Sequence, residues 1–345
     1  MASILEREIS QQPEVIQTFL EDQLNNARSI ARNLQGKFSY VLIAARGSSD
    51  NAARYAQYLF GIQHSLQVAL ATPSIFTMYG KTIDLTGALV IGISQSGQSP
   101  DIVSVLTEAK KQGRPTLAIT NDASSPLAQT SDYILPLDTG LEQAVAATKT
   151  YTTSLAALAL LSCAMEQDNR HLELLRQVPG LMQNTLDGLK PAIEHVERYR
   201  YIDQCTVVGR GLNYSTAFET ALKIKELTYV VAEPYSSADY RHGPIATARR
   251  GSPVILIAPR GSVYQDMHTL FGELKQRQAE LIIISDDPQA QKEAALSLPF
   301  APGLPEWLTP LVAVLPGQRF AMQLTLEKGL NPDQPEGLHK VTETL

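Results

Sequence analysis

The sequence predicts an α/β fold in which parallel sheets, covered by helices on both faces, are laid down twice along the chain. Short apolar runs alternate with helical stretches through most of its length. Two of these runs, residues 40–45 and 88–94, end in small polar turns that pass directly into helices, as strand–turn–helix units do. The segment VLIAARGSSDNAARYA is echoed later by TVVGRGLNYSTAFETA, each a strand, an Arg-Gly step, a polar cap and a helix of small residues. Length agrees, since 345 residues suggest two domains of roughly 150 residues each.

Taken in order, residues 12–34 read as an amphipathic helix with Val15, Ile16, Phe19, Leu24, Ile30 and Leu34 on one side. The strand at 40–45 breaks at Arg46-Gly47-Ser48-Ser49 and restarts as a helix through Ala52, Tyr55, Ala56 and Leu59. Strands follow at 66–70, 88–94, 116–120 and 133–137, with helices between most of them. The stretch IGISQSGQSPD, residues 91–101, is the most informative. Ser99 reads there as an N-cap, with Pro100 at N1 and Asp101 in the positive first turn of a helix buried through Ile102, Val103, Leu106 and Ala109.

The hydroxyl-rich segment 139–153 leads into a helix from about 154 to 166, and Lys149 within it reads as a solvated lysine rather than an anion contact. Residues 169–199, punctuated by Pro179, Gly180 and Pro191, read as a helical connector. The second cycle has a strand at 206–208 that breaks at Gly209-Arg210-Gly211, then a helix through Ala217, Ala221, Ile224 and Leu227. A strand at 254–258 ends in Pro259-Arg260-Gly261-Ser262, where the first cycle has its serines. A helix at 264–276, strands at 281–285 and 296–298, and a last helix from about 318 to 328 complete the cycle. The tail NPDQPEGLHKVTETL lacks packing periodicity, so it is either frayed or laid over a site. The resulting plan is a lead-in helix (1–35), a first domain (36–167), a connector (168–200), a second domain (201–330) and a tail (331–345).

Composition bounds the function. The net charge is −6 and no Lys/Arg block exists, so nucleic acid and anionic membrane are poor partners. No apolar run approaches the roughly 20 residues of a membrane span, and the amino end lacks a signal-peptide core, so the expected location is the cytoplasm. Cys163 and Cys205 lie apart in apolar surroundings and read as reduced core residues.

The candidate chemistry falls in two places. Ser94, Ser96 and Ser99, with Gln95, converge on a helix start without a lysine, a pattern that suits a phosphate monoester better than a nucleoside triphosphate. A plain polar turn is the alternative. Position argues for the site, because both Ser-rich turns fall at the carboxyl ends of strands in a parallel sheet. In the second half, Glu219, Lys223 and Glu226 share one helix face, whose bland reading is solvated Glu/Lys pairing. His242 stands just before Gly243-Pro244, in a turn where an imidazole is a poor core filler. A carboxylate, an amine and an imidazole so close in sequence are what proton transfer on a sugar requires.

Together SQSGQSPD, ARGSSDNA, VAATKTYTT, ETALKIKELTY, AEPYSSADYRHGP and NPDQPEGLHKV resemble the tandem sugar isomerase (SIS) domains of glucosamine-6-phosphate synthases and stand-alone deaminases, over almost the whole chain and in the same order. The resemblance implies two flavodoxin-like, three-layer α/β/α domains with parallel sheets, in a homodimer that completes the site across its interface. It implies that Gly47, Ser48, Ser49, Ser94, Gln95, Ser96 and Ser99 hold the sugar phosphate, and that the loop with Val145 and Ala147 lines the sugar. Glu226 is then the base between C1 and C2, supported by Lys223; His242, delivered from the other subunit, opens the ring; Lys340 meets the open-chain substrate. No metal and no cofactor is implied.

Three departures from the synthase pattern stand out. The chain opens Met1-Ala2-Ser3 without a glutaminase segment and its amino-terminal Cys, so it is expected not to hydrolyse glutamine by that route. Ala147 stands where Ser is common, and the tail reads HKV where the synthases have AKS. These departures favour an amino-sugar 6-phosphate isomerase/deaminase that converts glucosamine 6-phosphate reversibly to fructose 6-phosphate and ammonia. A fructosamine-6-phosphate deglycase and a non-catalytic sugar-phosphate sensor are the alternatives.

Overall fold

The computed structural model describes residues 2–166 and 169–340. These form two compact units, one of residues 14–142, 149–166, 169–176 and 339–340, the other of residues 2–13, 143–148 and 177–338. Each is built on its own sheet.

The first-sheet unit holds β1 (Tyr40–Ala45), β2 (Gln67–Leu70), β3 (Ala88–Ile93), β4 (Thr116–Thr120) and β5 (Tyr133–Pro136), in the order β2-β1-β3-β4-β5. All pairings are parallel, and β1 meets β3 from Tyr40↔Ala88 to Ala45↔Ile93. The reason lies in the sequence: ALVIGI and TLAIT are buried at every position, which only a sheet covered on both faces allows. Ile102, Leu106 and Ala109 of the following helix pack on Val90 and Ala118 as the apolar spacing predicts, whereas Val105 takes the buried place expected of Val103, which is only partly buried. The helices here are most of α1 (Ile4–Leu34), α2 (Ser48–His64), α3 (Ser74–Thr77), α4 (Pro100–Lys111), α5 (Pro126–Thr130), α6 (Lys149–Met165) and α7 (Arg170–Leu175).

The second-sheet unit contains α8 (Val178–Gly188), α9 (Lys190–Ile193), β6 (Gln204–Gly209), α10 (Tyr214–Thr228), β7 (Val231–Ser236), α11 (Ser237–Arg241), β8 (Pro253–Ile257), α12 (Tyr264–Gln276), β9 (Glu280–Ser285), α13 (Pro288–Lys292), β10 (Leu296–Pro299) and α14 (Thr309–Glu327). Its sheet, β10-β9-β8-β6-β7, is again parallel and follows the same order as the first when read from its other end.

Several boundaries differ from the sequence reading, each for a reason outside the local pattern. The first helix begins at Ile4 rather than near residue 12, because Asp333 accepts the N–H groups of Ile4 (2.9 Å) and Leu5 (2.8 Å) that would otherwise be orphaned. That part of the tail is therefore anchored rather than frayed. Helix α6 begins at Lys149, not Ser154, since the Glu142 carboxylate takes both the N–H (3.1 Å) and the hydroxyl (2.8 Å) of Thr150. The last helix begins at Thr309, not Gln318, despite Pro316 and Gly317. A Cβ on Gly317 would stand 2.4 Å from Thr220 Oγ1, so this glycine serves close approach of α14 to α10 rather than helix termination. Strand β7 was not foreseen; it lies at the edge of its sheet, where Pro234 removes no needed ladder donor.

Candidate active site

The two Ser-rich turns leave the carboxyl ends of β1 and β3, which are neighbours in the sheet. The connections run toward opposite edges from this pair, so this is the switch point where doubly wound sheets open a crevice for ligands. Sequence forces both turns. Gly47, the N-cap of α2, sits at φ +56° and ψ −131°, a region that suits glycine. Gly97 sits at φ +62°, and a Cβ there would lie 2.1 Å from Ser125 Oγ. The backbone thus folds tightly enough for Ser94 Oγ to accept the Gly97 N–H (3.1 Å) and Ser96 Oγ the Gln98 N–H (3.3 Å).

Ser99 has the extended backbone of an N-cap, as expected, but its hydroxyl makes no capping bond. Its Oγ is buried without a hydrogen-bond partner. An orphaned buried hydroxyl costs roughly 1–3 kcal/mol, so at the head of a 12-residue helix it marks a place for an acceptor from outside. Ser48 and Ser49 start α2 half-buried, beside exposed Gly47. Arg46 donates from Nη2 to Asp101 Oδ2 (2.7 Å), joining the two turns, while Asp101 Oδ1 takes the Thr77 hydroxyl (2.8 Å).

In the second-sheet unit, the ionisable residues Glu219, Lys223 and Glu226 of α10 are not a solvated face. Glu219 and Lys223 are 0% and 1% exposed. Lys223 Nζ donates to Glu226 Oε2 (2.5 Å) and lies 3.4 Å from Glu219 Oε1. The side chain of Glu226 keeps 25% exposure, so it alone of the three meets solvent appreciably. A buried ammonium between two carboxylates fixes the Glu226 rotamer and costs stability if any member is lost. His242 follows α11 with its backbone N–H on Asp239 O (3.1 Å) and its side chain exposed. Val145 and Ala147 are half-buried in the loop between β5 and α6.

Lys340 is ion-paired, Nζ to Glu142 Oε2 at 2.7 Å, with the Glu142 side chain fully buried. The sequence reading missed Glu142, although a glutamate opening the segment before VAATK was a visible signal. It also misjudged Lys149, which is 4% exposed and donates to Leu141 O (3.0 Å). Among the described residues, no cluster of His, Cys, Asp and Glu is arranged to hold a metal ion, and no helix is long and apolar enough to cross a membrane.

The profile of the SIS domain matches residues 39–164 and again residues 201–299. The chain belongs to the SIS domain family. It is 33% identical over 339 residues to the glutamine–fructose-6-phosphate aminotransferase (isomerizing) of Aquifex aeolicus, aligning 97% of this chain with 56% of that protein. The corresponding enzyme of Pyrococcus horikoshii is 32% identical with the same coverage. The chain thus spans a little over half the length of these relatives. Among solved structures, the C-terminal domain of glucosamine-fructose-6-phosphate aminotransferase from Francisella tularensis superposes with a TM-score of 0.88 at 26% identity, covering 97% of this chain and 99% of that one. Glucosamine-6-phosphate deaminase from Thermotoga maritima shares the fold, with a TM-score of 0.78 at 23% identity over 99% and 100% of the two chains.

The two SIS repeats differ at their switch points. In the second, the turn after β8 carries Gly261 at φ +149°, and the Ser262 N–H donates to Glu306 Oε2 (2.6 Å). A protein carboxylate therefore occupies the acceptor position there. In the first repeat, no such carboxylate reaches the Ser99 hydroxyl.

Proposed function

We propose that this chain isomerises and deaminates an amino-sugar 6-phosphate, converting glucosamine 6-phosphate and water reversibly to fructose 6-phosphate and ammonia. The observation that carries the reading is the pair of serine turns at the β1/β3 switch point, with the buried, unpartnered Ser99 hydroxyl at the head of α4. Membership of the SIS domain family supports it.

In this reading Gly47, Ser48, Ser49, Ser94, Gln95, Ser96 and Ser99 receive the phosphate, and the loop of Val145 and Ala147 lines the sugar. His242, serving the site of a second copy in a homodimer, transfers the proton that opens the pyranose. Glu226 takes the proton from C2 and returns it to C1, a task for which a partly exposed carboxylate held by a buried lysine is well placed. The double bond then lies between C2 and nitrogen; water adds at C2 and ammonia leaves. Lys340 meets the open-chain substrate.

The test is incubation with glucosamine 6-phosphate while ammonium and fructose 6-phosphate are followed together. Equal amounts of both are expected. No ammonium above background from folded protein contradicts the reading, and faster turnover of a fructosamine 6-phosphate would move the assignment to a deglycase.

A further inference from the structure

The serines of the two turns offer hydroxyls and backbone N–H groups but no charge, whereas a sugar phosphate near neutral pH carries close to two negative charges. Asp101 adds a negative charge to the first turn of α4, beside Ser99. Uncompensated, that carboxylate would repel a phosphate from the helix terminus that the serines prepare. Among the described residues, Arg46 places a cation there. Arg46, the residue immediately after β1, directs its guanidinium across from one turn to the other and donates from Nη2 to Asp101 Oδ2 (2.7 Å).

The two partners differ in a way that a simple staple does not require. The Asp101 side chain is 4% exposed and its other oxygen is held by Thr77, so it is a fixed anchor. The Arg46 side chain is 47% exposed. Guanidinium has five N–H donors in a rigid plane, and the bond to Asp101 uses one, which leaves an edge that can meet a phosphate in the bidentate geometry arginine favours.

We propose that Arg46 is a phosphate-binding residue of this site, oriented by Asp101 and selecting the dianion of a sugar 6-phosphate. Asp101 is its positioning residue. The inference rests on the reading of the serine turns as the phosphate site.

The experiment measures binding of fructose 6-phosphate by calorimetry, independently of turnover, to the wild-type protein and to Arg46→Ala, Arg46→Lys and Asp101→Asn, with the ligand-free thermal midpoint of each. Losing a charge-assisted contact should weaken binding by about 10- to 100-fold in Arg46→Ala. Arg46→Lys should recover part of that loss, and Asp101→Asn, which loosens the guanidinium but keeps its charge, should weaken binding clearly less than Arg46→Ala does. The loss in Arg46→Ala should be larger at pH 7.5 than at pH 5.5, where the phosphate is mostly a monoanion. Equal weakening in Arg46→Ala and Asp101→Asn, together with equal falls in midpoint and no pH dependence, would make the pair a structural staple and overturn the inference. Wild-type binding matched by Arg46→Ala overturns it as well, whereas a folded wild-type protein that binds no sugar phosphate refutes the underlying site instead.

Discussion

An alanine at position 97 should damage the serine turn after β3 by an amount that can be worked out from its surroundings. Gly97 sits at φ +62°, where a side chain costs roughly 1–2 kcal/mol. The added Cβ would lie 2.1 Å from Ser125 Oγ, 2.5 Å from Ser125 Cβ and 3.0 Å from Thr120 Oγ1. Ser125 is 1% exposed and its Oγ caps α5 by accepting the Ala128 N–H, so moving it aside loses a cap of about 1 kcal/mol. The two terms give a destabilisation of about 2–3 kcal/mol. Urea unfolding measures it as a shift in midpoint at constant slope. A second substitution, Ser125→Gly, removes the obstructing atoms and costs a cap only a few tenths of a kcal/mol, so the double variant should regain about 0.7 kcal/mol, the positive-φ cost remaining. A Gly97→Ala protein within about 0.5 kcal/mol of wild type, inside the range of ordinary surface substitutions, would refute this account of the turn.

Two further perturbations test the second-sheet unit and the pH response. Lys223→Met leaves Glu219, which is 0% exposed, without its buried ammonium and should cost about 3–5 kcal/mol in denaturant unfolding; adding Glu219→Gln should return a large part of that. Burial holds the His64 imidazole below its ordinary pKa, against the opposing pull of the Glu166 carboxylate. The native state therefore favours the neutral ring while the unfolded chain takes up a proton near pH 6.5, so this contribution is complete above pH 6.5 and is lost as the pH falls below it. The thermal midpoint should drop between pH 7.5 and 5.5, and His64→Gln, which can still bond Ser162, should flatten that drop.

Much of the fold was legible because burial on both faces leaves continuous apolar runs. Strand 116–120 and helix 264–276 were read with the bounds they have. The boundaries that failed depend on partners distant in sequence, such as Asp333 capping the first helix. The last helix was read from Gln318 rather than Thr309, although Gly317 lies inside it, in close approach to Thr220 on another helix. Strand β7 could have been found from the repeat, since it is the counterpart of β2, but Glu233 and Pro234 break the apolar pattern at an edge that tolerates them.

At the site, the serine turns were readable because glycine, serine and a helix start stand together in sequence. The burial of Lys149, Glu219 and Lys223 was not, because spacing shows which residues share a helix face but not what covers it. Glu142 escaped for the same reason: its partners, Thr150 and Lys340, come from the next helix and from the carboxyl-terminal tail.

The central claim is that Glu226 moves the proton between C1 and C2 of a sugar held by its phosphate. Glu226→Gln keeps the side chain's shape and removes the base. The direct measurement is ammonium release from glucosamine 6-phosphate by this variant beside its calorimetric affinity for fructose 6-phosphate. The account predicts binding close to wild type and turnover reduced by at least about a thousandfold, roughly 4 kcal/mol of transition-state stabilisation. Turnover equal to wild type in a variant that binds equally well would contradict it.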